Sequence, residues 1–316
     1  MIRTIEFLLI TLIFIFVPWH SHDVARGDDV VKLYLEHKAR CEPQSTCGHH
    51  AVIFIHGIMG SKDTWQDGSS YWPDLIASDP TAEVFDIYRV DYATGILTGK
   101  PISEIRQSLI NAMGKPPAMK QYKTIQFIAH SLGGIIARDY LLQLKLKGHW
   151  ALNQFRQLIL IGSPADGSYL SKVASIISRN PQLRILRPVR ENDYLDLLNE
   201  SWEVIMGKRG EGGCPSIFLQ LAYEEEAVVG VGTVVSKESA TALHRKLEGG
   251  PITAVKGFPR NHINIVKPRD TADPVYEWVN QSILSCVAGH HSGPCPNQED
   301  IPIWCQRPPA NRGEQN

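Results

Sequence analysis

The segment Ile125–Gly134 reads Ile-Gln-Phe-Ile-Ala-His-Ser-Leu-Gly-Gly, an apolar run followed by a small residue, a serine and two glycines. The apolar run predicts a buried strand, and the Ile-Ile-Ala that follows the glycines predicts the first turn of a helix. A sharp turn between them presses the residues two before and two after the serine against the sheet, so both must be small. Ala129 and Gly133 meet that requirement. The pattern therefore predicts that the hydroxyl of Ser131 projects above a strand end, at a helix N-terminus.

Short apolar runs alternate with helical patterns from residue 51 to about 285. This alternation is typical of a mostly parallel α/β sheet with helices on both faces, whose strands are apolar on both sides. The predicted strands are Ala51–Ile55, Val84–Val90, Thr124–Ala129, Gln157–Ile161, Ser216–Tyr223 and Pro251–Val255. The predicted helices are Ile102–Met113, Gly133–Leu146, Tyr169–Ser178, Tyr194–Met206, Ser239–Leu247 and Pro274–Ser285.

The stretch 167–213 separates two predicted strands and has no strand pattern of its own. It carries two apolar stripes at helical spacing. The stripes consist of Tyr169, Leu170, Val173, Ile176 and Ile177, and of Tyr194, Leu195, Leu197, Leu198 and Trp202. The stretch is therefore either a helical cap that forms an acyl-binding wall over a site, or ordinary crossover helices whose stripes belong to the core.

Composition narrows the classes of function. The chain has 316 residues, of which 43% are hydrophobic and 21% charged, and its formal net charge is -1. This apolar fraction suffices for a buried core and excludes wholesale disorder. Because Lys and Arg are not in excess, we expect no nucleic-acid partner. The cysteines lack the paired Cys-x-x-Cys spacing of a metal site. The oligomeric state stays open.

The two ends of the chain indicate export. Phe7–Val17 is an unbroken run of apolar residues and one threonine. A membrane span needs about 20 apolar residues, so this shorter run suits the core of a signal peptide. We expect residues 1–22 to be a signal peptide or a membrane anchor, and the protein to be periplasmic, secreted or lumenal. Residues 23–50 are the predicted N-terminal extension, 51–285 the α/β domain, and 286–316 a tail rich in Cys and Pro.

The six cysteines agree with an oxidising compartment, where disulfides are stable. Cys41 and Cys47 enclose a short polar loop in the N-terminal extension. Cys214 precedes a predicted strand and is either a buried thiol or the partner of a tail cysteine. The tail cysteines are Cys286, Cys295 and Cys305. We predict disulfide bonds without assigning their connectivity.

A second motif follows the first strand of the predicted α/β domain. Residues 56–60 read His-Gly-Ile-Met-Gly, and the glycines let the backbone turn an N–H group towards a site above the sheet. We expect the N–H groups of Ile58 and Leu132 to form an oxyanion hole. His56 precedes Ser131, whereas the base comes last in folds with this turn, so we expect His56 to hydrogen-bond its own loop.

His262 is the predicted general base. It follows a predicted strand and precedes the last helix, where such a fold places its histidine. From there it would take the proton of Ser131 and later protonate the leaving group. His244 is the rival, but it lies within a helical pattern, and we expect it to face solvent.

In their order along the chain, these segments resemble the serine-active-site-containing, lipase-like α/β-hydrolases, which are related to the glycosylphosphatidylinositol inositol-deacylases. The resemblance covers roughly residues 50–285. It rests on His56–Gly60, Thr64–Trp65, Tyr71–Pro73, Ala129–Gly134, Gly162–Pro164, Val234–Ala240 and His262–Pro268. It implies an α/β-hydrolase fold and a serine hydrolase that acts on lipid-like or other carboxylic esters, chemistry that needs no metal or organic cofactor.

The acid that would orient His262 is left open. Many lipases have an Asp two residues before the Val-Val pair, and here that position is Gly232. Glu224 ranks first, because the resemblance implies a glutamate at this position and a strand-end residue is held rigidly. Glu226 is the alternative, since Glu226–Val229 reads Glu-Ala-Val-Val and mimics the lipase pattern.

Two further carboxylates rank lower as the acid. Glu238 lies at a predicted helix N-terminus, where the positive end of the helix dipole favours a carboxylate whether or not it is catalytic. Asp166 follows the predicted strand Gln157–Ile161.

Together these features predict an esterase, lipase or lipid deacylase that forms an acyl-enzyme on Ser131. A lipid or other ester would be the substrate, and a membrane surface is a candidate partner. An acyltransferase would use the same triad, with an alcohol in place of water. A non-catalytic binding module with the same fold is disfavoured, because Ser131 and His262 are both present with their turn residues.

Overall fold

The computed structural model describes residues 30–40, 50–94, 99–114, 119–167, 182, 186, 193–206, 217–246 and 253–287. The strands are β1 Val31–His37, β2 His50–Ile55, β3 Gln66–Asp67, β4 Ser70–Tyr71, β5 Phe85–Tyr92, β6 Thr124–His130, β7 Phe155–Ile161, β8 Phe218–Glu224 and β9 Thr253–Phe258. The helices are α1 Trp72–Ser78, α2 Ile102–Gly114, α3 Leu132–Leu146, α4 Asp193–Met206, α5 Lys237–Ala240, α6 Ala242–Lys246 and α7 Pro274–Ser285.

The main sheet has seven strands in the order β1-β5-β2-β6-β7-β8-β9. β1 runs antiparallel to β5, and every other neighbouring pair is parallel. A two-stranded hairpin of β3 and β4 stands apart. The parallel strands bring their carboxyl ends to one edge of the sheet, and that edge carries the turns after β2, β6, β8 and β9. The predicted mostly parallel α/β architecture is confirmed.

Each face of the sheet has its own apolar core. In β2, Ile53 and Ile55 belong to one buried cluster, while Val52 and Phe54 belong to the other. Helices α2, α3 and α4 cover the first face, and α1 and α7 cover the second. Because both faces of the strand are buried, its sequence is continuously apolar rather than alternating.

Several elements differ from the sequence-based prediction, which also lacked the short strands β3 and β4. β1 lies within the residues assigned to the N-terminal extension, and α1 was not predicted at all. The single helix predicted over Ser239–Leu247 is instead two short helices, α5 and α6, that meet at Thr241. The helix predicted over Tyr169–Ser178 lies outside the described residues.

Helix α4 packs on the core of the first face. Leu195, Leu198 and Trp202 are buried in the same cluster as α3, whereas Leu197 is 61% exposed. Asn199 is fully buried and donates to the carbonyl O of Ala165 at 3.0 Å. The second predicted stripe is therefore core packing, except for Leu197. The first stripe lies outside the described residues.

No helix in the described ranges combines the length and apolarity that crossing a bilayer requires.

Candidate active site

Ser131 occupies the sharp turn between β6 and α3. Its backbone has φ 52° and ψ -124°, a positive φ that non-glycine residues rarely adopt and that concentrates at functional sites. A Cβ on Gly133 would lie 2.3 Å from the carbonyl O of Ile55 and 2.4 Å from that of His56. Ala129 is fully buried. The requirement for a small residue two positions after the serine thus has a direct steric cause.

The glycines of the His-Gly-x-x-Gly loop allow two close approaches. A Cβ on Gly57 would lie 2.7 Å from the Cβ of Ser131, so only glycine lets this loop reach the serine. A Cβ on Gly60 would lie 2.6 Å from the Nδ1 of His56. The loop therefore wraps around the ring of His56 on one side and touches Ser131 on the other.

His56 hydrogen-bonds its own loop, as predicted from the sequence. Its Nδ1 lies 2.9 Å from the carbonyl O of Gly57, and its Nε2 lies 3.1 Å from the carboxylate of Asp91. The ring stacks on Tyr92, with the centroids 4.4 Å apart. Burial raises the pKa of Asp91, but hydrogen bonds and opposite charge from His56 and Arg89 outweigh it, so the pKa lies below its usual value.

Neither the backbone N–H of Ile58 nor that of Leu132 has a hydrogen-bond acceptor among the described residues. Leu132 is the first residue of α3, where an N–H group has no partner within the helix. The neighbouring amide of Met59 is occupied, since it donates to the carbonyl O of Thr94 at 2.9 Å. Ile58 and Leu132 belong to the turns that meet at Ser131, the loop after β2 and the start of α3.

His262 pairs with Glu224. The Nδ1 of His262 lies 2.6 Å from the Oε2 of Glu224, and both side chains are buried. The other carboxylate oxygen, Oε1, accepts from the N–H of Val234 at 2.7 Å and of Val235 at 3.0 Å. A carboxylate accepts hydrogen bonds, so Nδ1 carries the proton and Nε2 is left to take one from a nucleophile.

The histidine and the serine adjoin the same short stretch after β7. The N–H of Ser131 donates to the carbonyl O of Ile161 at 3.1 Å. A Cβ on Gly162, which has φ 55°, would lie 3.1 Å from the Nδ1 of His262. The hydroxyl of Ser131 has no hydrogen bond within the described part of the chain.

The other carboxylates that the sequence left open lie elsewhere. Glu226 is exposed. Glu238 is exposed in the first turn of α5, where hydrogen bonds from its own backbone N–H and from Ser236 lower its pKa. Asp166 lies 3.6 Å from the guanidinium of Arg245, and burial raises its pKa. None of the three bonds to His262.

Two further sequence interpretations concern histidines. His244 is half-buried on α6, so it does not simply face solvent. His130 was not singled out by its sequence context, yet its Nε2 donates to the carbonyl O of His262 at 3.0 Å. Only its position directly before Ser131 could have drawn attention to it.

The fold and this serine turn define a lipase-like α/β-hydrolase. Residues 45–175 match the model of the family described as "Putative serine esterase (DUF676)". The fold and this match together support a hydrolase of the serine esterase class. No curated protein matches the chain.

Solved structures share the fold at low sequence identity. The mature form of the lipase BlEst2 from Bacillus licheniformis is 16% identical, with a TM-score of 0.50, over 80% of this chain and 99% of that one. The phospholipase PlaB from Legionella pneumophila is 15% identical, with a TM-score of 0.54, over 81% of this chain. This chain covers 61% of the Legionella protein, so it spans about three fifths of that relative.

Proposed function

We propose that the protein hydrolyses carboxylic esters through an acyl-enzyme on Ser131, with His262 as general base and Glu224 as the orienting acid. The observation that carries the proposal is the 2.6 Å hydrogen bond between His262 and Glu224 at the sheet edge where Ser131 turns. An exposed glutamate would be a solvated charge, whereas this buried one makes three hydrogen bonds that fix its direction.

In the proposed reaction, the Nε2 of His262 takes the hydroxyl proton as the Oγ of Ser131 attacks the ester carbonyl. The N–H groups of Ile58 and Leu132 stabilise the tetrahedral oxyanion. The intermediate collapses, and His262 gives its proton to the departing alkoxide, which leaves as the alcohol. A water, deprotonated by His262, then attacks the acyl-enzyme. As the second tetrahedral intermediate collapses, His262 returns this proton to the Oγ of Ser131, which releases the carboxylic acid and restores the free hydroxyl.

We further propose a lipid-like ester as the substrate. Met59 and Ile263 directly follow Ile58 and His262 and are 38% and 52% exposed, so apolar side chains flank the reacting groups. Two proteins that share the fold are named a lipase and a phospholipase. An apolar acyl chain would cover such side chains and remove them from water. A membrane surface would be one source of this substrate.

A fluorophosphonate probe tests the proposed nucleophile, followed by a panel of esters of increasing acyl length. We expect the parent to be labelled on Ser131 and Ser131→Ala to lose both labelling and turnover, on the order of a million-fold in kcat. Ser163→Ala is the matched control, because Ser163 is buried in a neighbouring turn. If the kcat of the Ser131→Ala variant stayed within about tenfold of the parent, the assignment of Ser131 as the nucleophile would be wrong. A preference for short soluble esters would argue against a lipid substrate.

A further inference from the structure

We infer that His130 is a positioning residue that connects the loop of the general base to the turn of the nucleophile. The inference rests on the proposed function, since it concerns how Ser131 and His262 are held. His130 precedes Ser131 directly, and its Nε2 donates to the carbonyl O of His262 at 3.0 Å. A single hydrogen bond thus joins the residue beside the nucleophile to the backbone of the base itself.

The partner atom determines how the His130 ring is protonated. A carbonyl oxygen only accepts, so Nε2 carries the proton, and Nδ1 of the neutral ring carries none. Nδ1 is buried and has no hydrogen-bond partner in the described structure. An unpartnered buried nitrogen costs free energy, so an apolar side chain would serve packing better. What the imidazole adds is the donor to His262.

His130 stays neutral beside a base that becomes charged during the reaction. The ring centroids of His130 and His262 are 4.7 Å apart. Burial lowers the pKa of His130 well below its usual value, the charge of His262 lowers it further, and His56 and Lys267 add to this effect against the opposing hydrogen bond to His262. A charged ring would repel the imidazolium that forms on His262, whereas a neutral ring supplies its hydrogen bond without that repulsion.

The loop of His262 has internal hydrogen bonds that fix its shape. The Oδ1 of Asn261 accepts from the N–H of Ile263 at 3.0 Å and of Asn264 at 3.1 Å. The Oδ1 of Asn264 in turn accepts from the N–H of Asn261 at 2.8 Å. These bonds hold the loop to itself, while the His130 bond reaches the turn that carries Ser131. The His130 bond therefore links the loop of His262 directly to the turn of Ser131 and contributes to the separation of the two reacting residues.

Three substitutions distinguish the contribution of the His130 hydrogen bond from that of the packing of its ring. His130→Gln keeps an N–H donor at a reach similar to that of Nε2, whereas the amide of His130→Asn is one methylene shorter. His130→Phe keeps a ring and removes the donor. Because misplacement by about 1 Å can cost about 100-fold, we expect kcat to fall about 10- to 100-fold in the Asn and Phe variants, with KM within about threefold of the parent. His130→Gln should restore kcat to within about threefold of the parent.

The rate of fluorophosphonate labelling is the second readout, because it reports activation of Ser131 without ester binding. Near-ultraviolet circular dichroism confirms that each variant is folded, and the Gln and Asn pair decides the outcome if the Phe variant is not. A parent that is not labelled on Ser131 contradicts the proposed function itself. A labelled parent with equally fast Asn and Phe variants, or a Gln variant as slow as Asn, would overturn the role of His130 alone.

Discussion

At the scale of single residues, the carboxylate of Glu224, the proposed acid of the triad, is held in one direction by its hydrogen bonds. Val234 and Val235 hold Oε1 with two backbone N–H groups, which leaves Oε2 for His262. The Val-Val pair that follows an Asp in many lipases here turns its amides onto a glutamate from β8. In the proposed triad, Glu224 at the end of β8 takes the place of the acid that is missing at Gly232, and the Val-Val loop still determines the direction of the carboxylate.

We expect Glu224→Gln to lower kcat on the order of 10⁴-fold, because an amide cannot accept from both valine amides and from His262 while keeping the correct histidine tautomer. His262→Ala should cost more, on the order of a million-fold, because it removes the base itself. Steady-state kinetics on one soluble ester measures both losses.

Glu226→Gln is the matched control for that substitution. Glu226 is an exposed glutamate two residues further along the chain, and we expect its substitution to leave kcat unchanged. If Glu226→Gln proved the damaging change and Glu224→Gln the harmless one, the acid would be wrongly assigned, although Ser131 and His262 would keep their roles.

Gly133 is required for a steric reason, since α3 lies too close to the end of β2 for a side chain at this position. Because a Cβ here would overlap the carbonyl oxygens of Ile55 and His56, Gly133→Ala should displace α3 or the oxyanion loop. We expect a loss of about 1–3 kcal/mol in the free energy of unfolding together with loss of esterase activity. Gly114→Ala is the control, since a Cβ there meets no atom within 4 Å. Equal effects of the two substitutions in urea denaturation would contradict the steric argument.

At the scale of elements, what the sequence predicts depends on how each element is buried. The six predicted strands are present, and the inner ones were predictable because strands covered on both faces are continuously apolar. β1 is an edge strand in which only Val31 is buried, so its sequence, Val-Lys-Leu-Tyr-Leu-Glu-His, resembles an ordinary surface segment. It is held by pairing with β5 and by side-chain contacts such as the 2.9 Å bond between Arg89 and Glu36, which no local pattern reveals.

The site shows the same division between local and long-range information. The turn at Ser131 is a local pattern of residue sizes, so its strand and helix were predictable. The contact between Glu224 and His262 joins residues 38 positions apart. From the sequence, four carboxylates could only be ranked as the partner of His262. Which of them is buried, and which receives backbone N–H donors, depends on contacts between residues that lie far apart along the chain. His130 was missed for the same reason.

The core packing of helix α4 makes a prediction about stability. Trp202 is fully buried, and the guanidinium of Arg138 lies 5.6 Å from its ring centroid. We expect Trp202→Ala to cost about 3–5 kcal/mol of unfolding free energy. Leu197→Ala, on the exposed side of the same helix, should stay within about 0.5 kcal/mol of the parent. A Trp202→Ala variant of parental stability in urea denaturation, but with altered selectivity for acyl length, would instead favour a cap.

At the scale of the whole molecule, the topology brings together groups that the chain separates widely. Ser131 follows β6, Glu224 ends β8, and His262 follows β9, and parallel strands place all three at one edge of the sheet. One apolar core on each face of the sheet holds that edge rigid, so that loops from different parts of the chain can together form one site. The family resemblance therefore depends on the order of several motifs along the chain rather than on any single motif.

The last prediction concerns the compartment of the whole protein. Cys286 caps the C-terminal end of α7, is buried, and is not a free thiol. If Phe7–Val17 directs export, we expect Cys286 to resist alkylation until the protein is reduced. Because α7 covers one face of the sheet, loss of a disulfide at its end should lower the free energy of unfolding by about 2–5 kcal/mol. Peptide mapping by mass spectrometry, with and without reductant, on protein from its native host measures this. An alkylated Cys286 in unreduced protein that still carries residues 1–22 would contradict both the disulfide and the export of the chain.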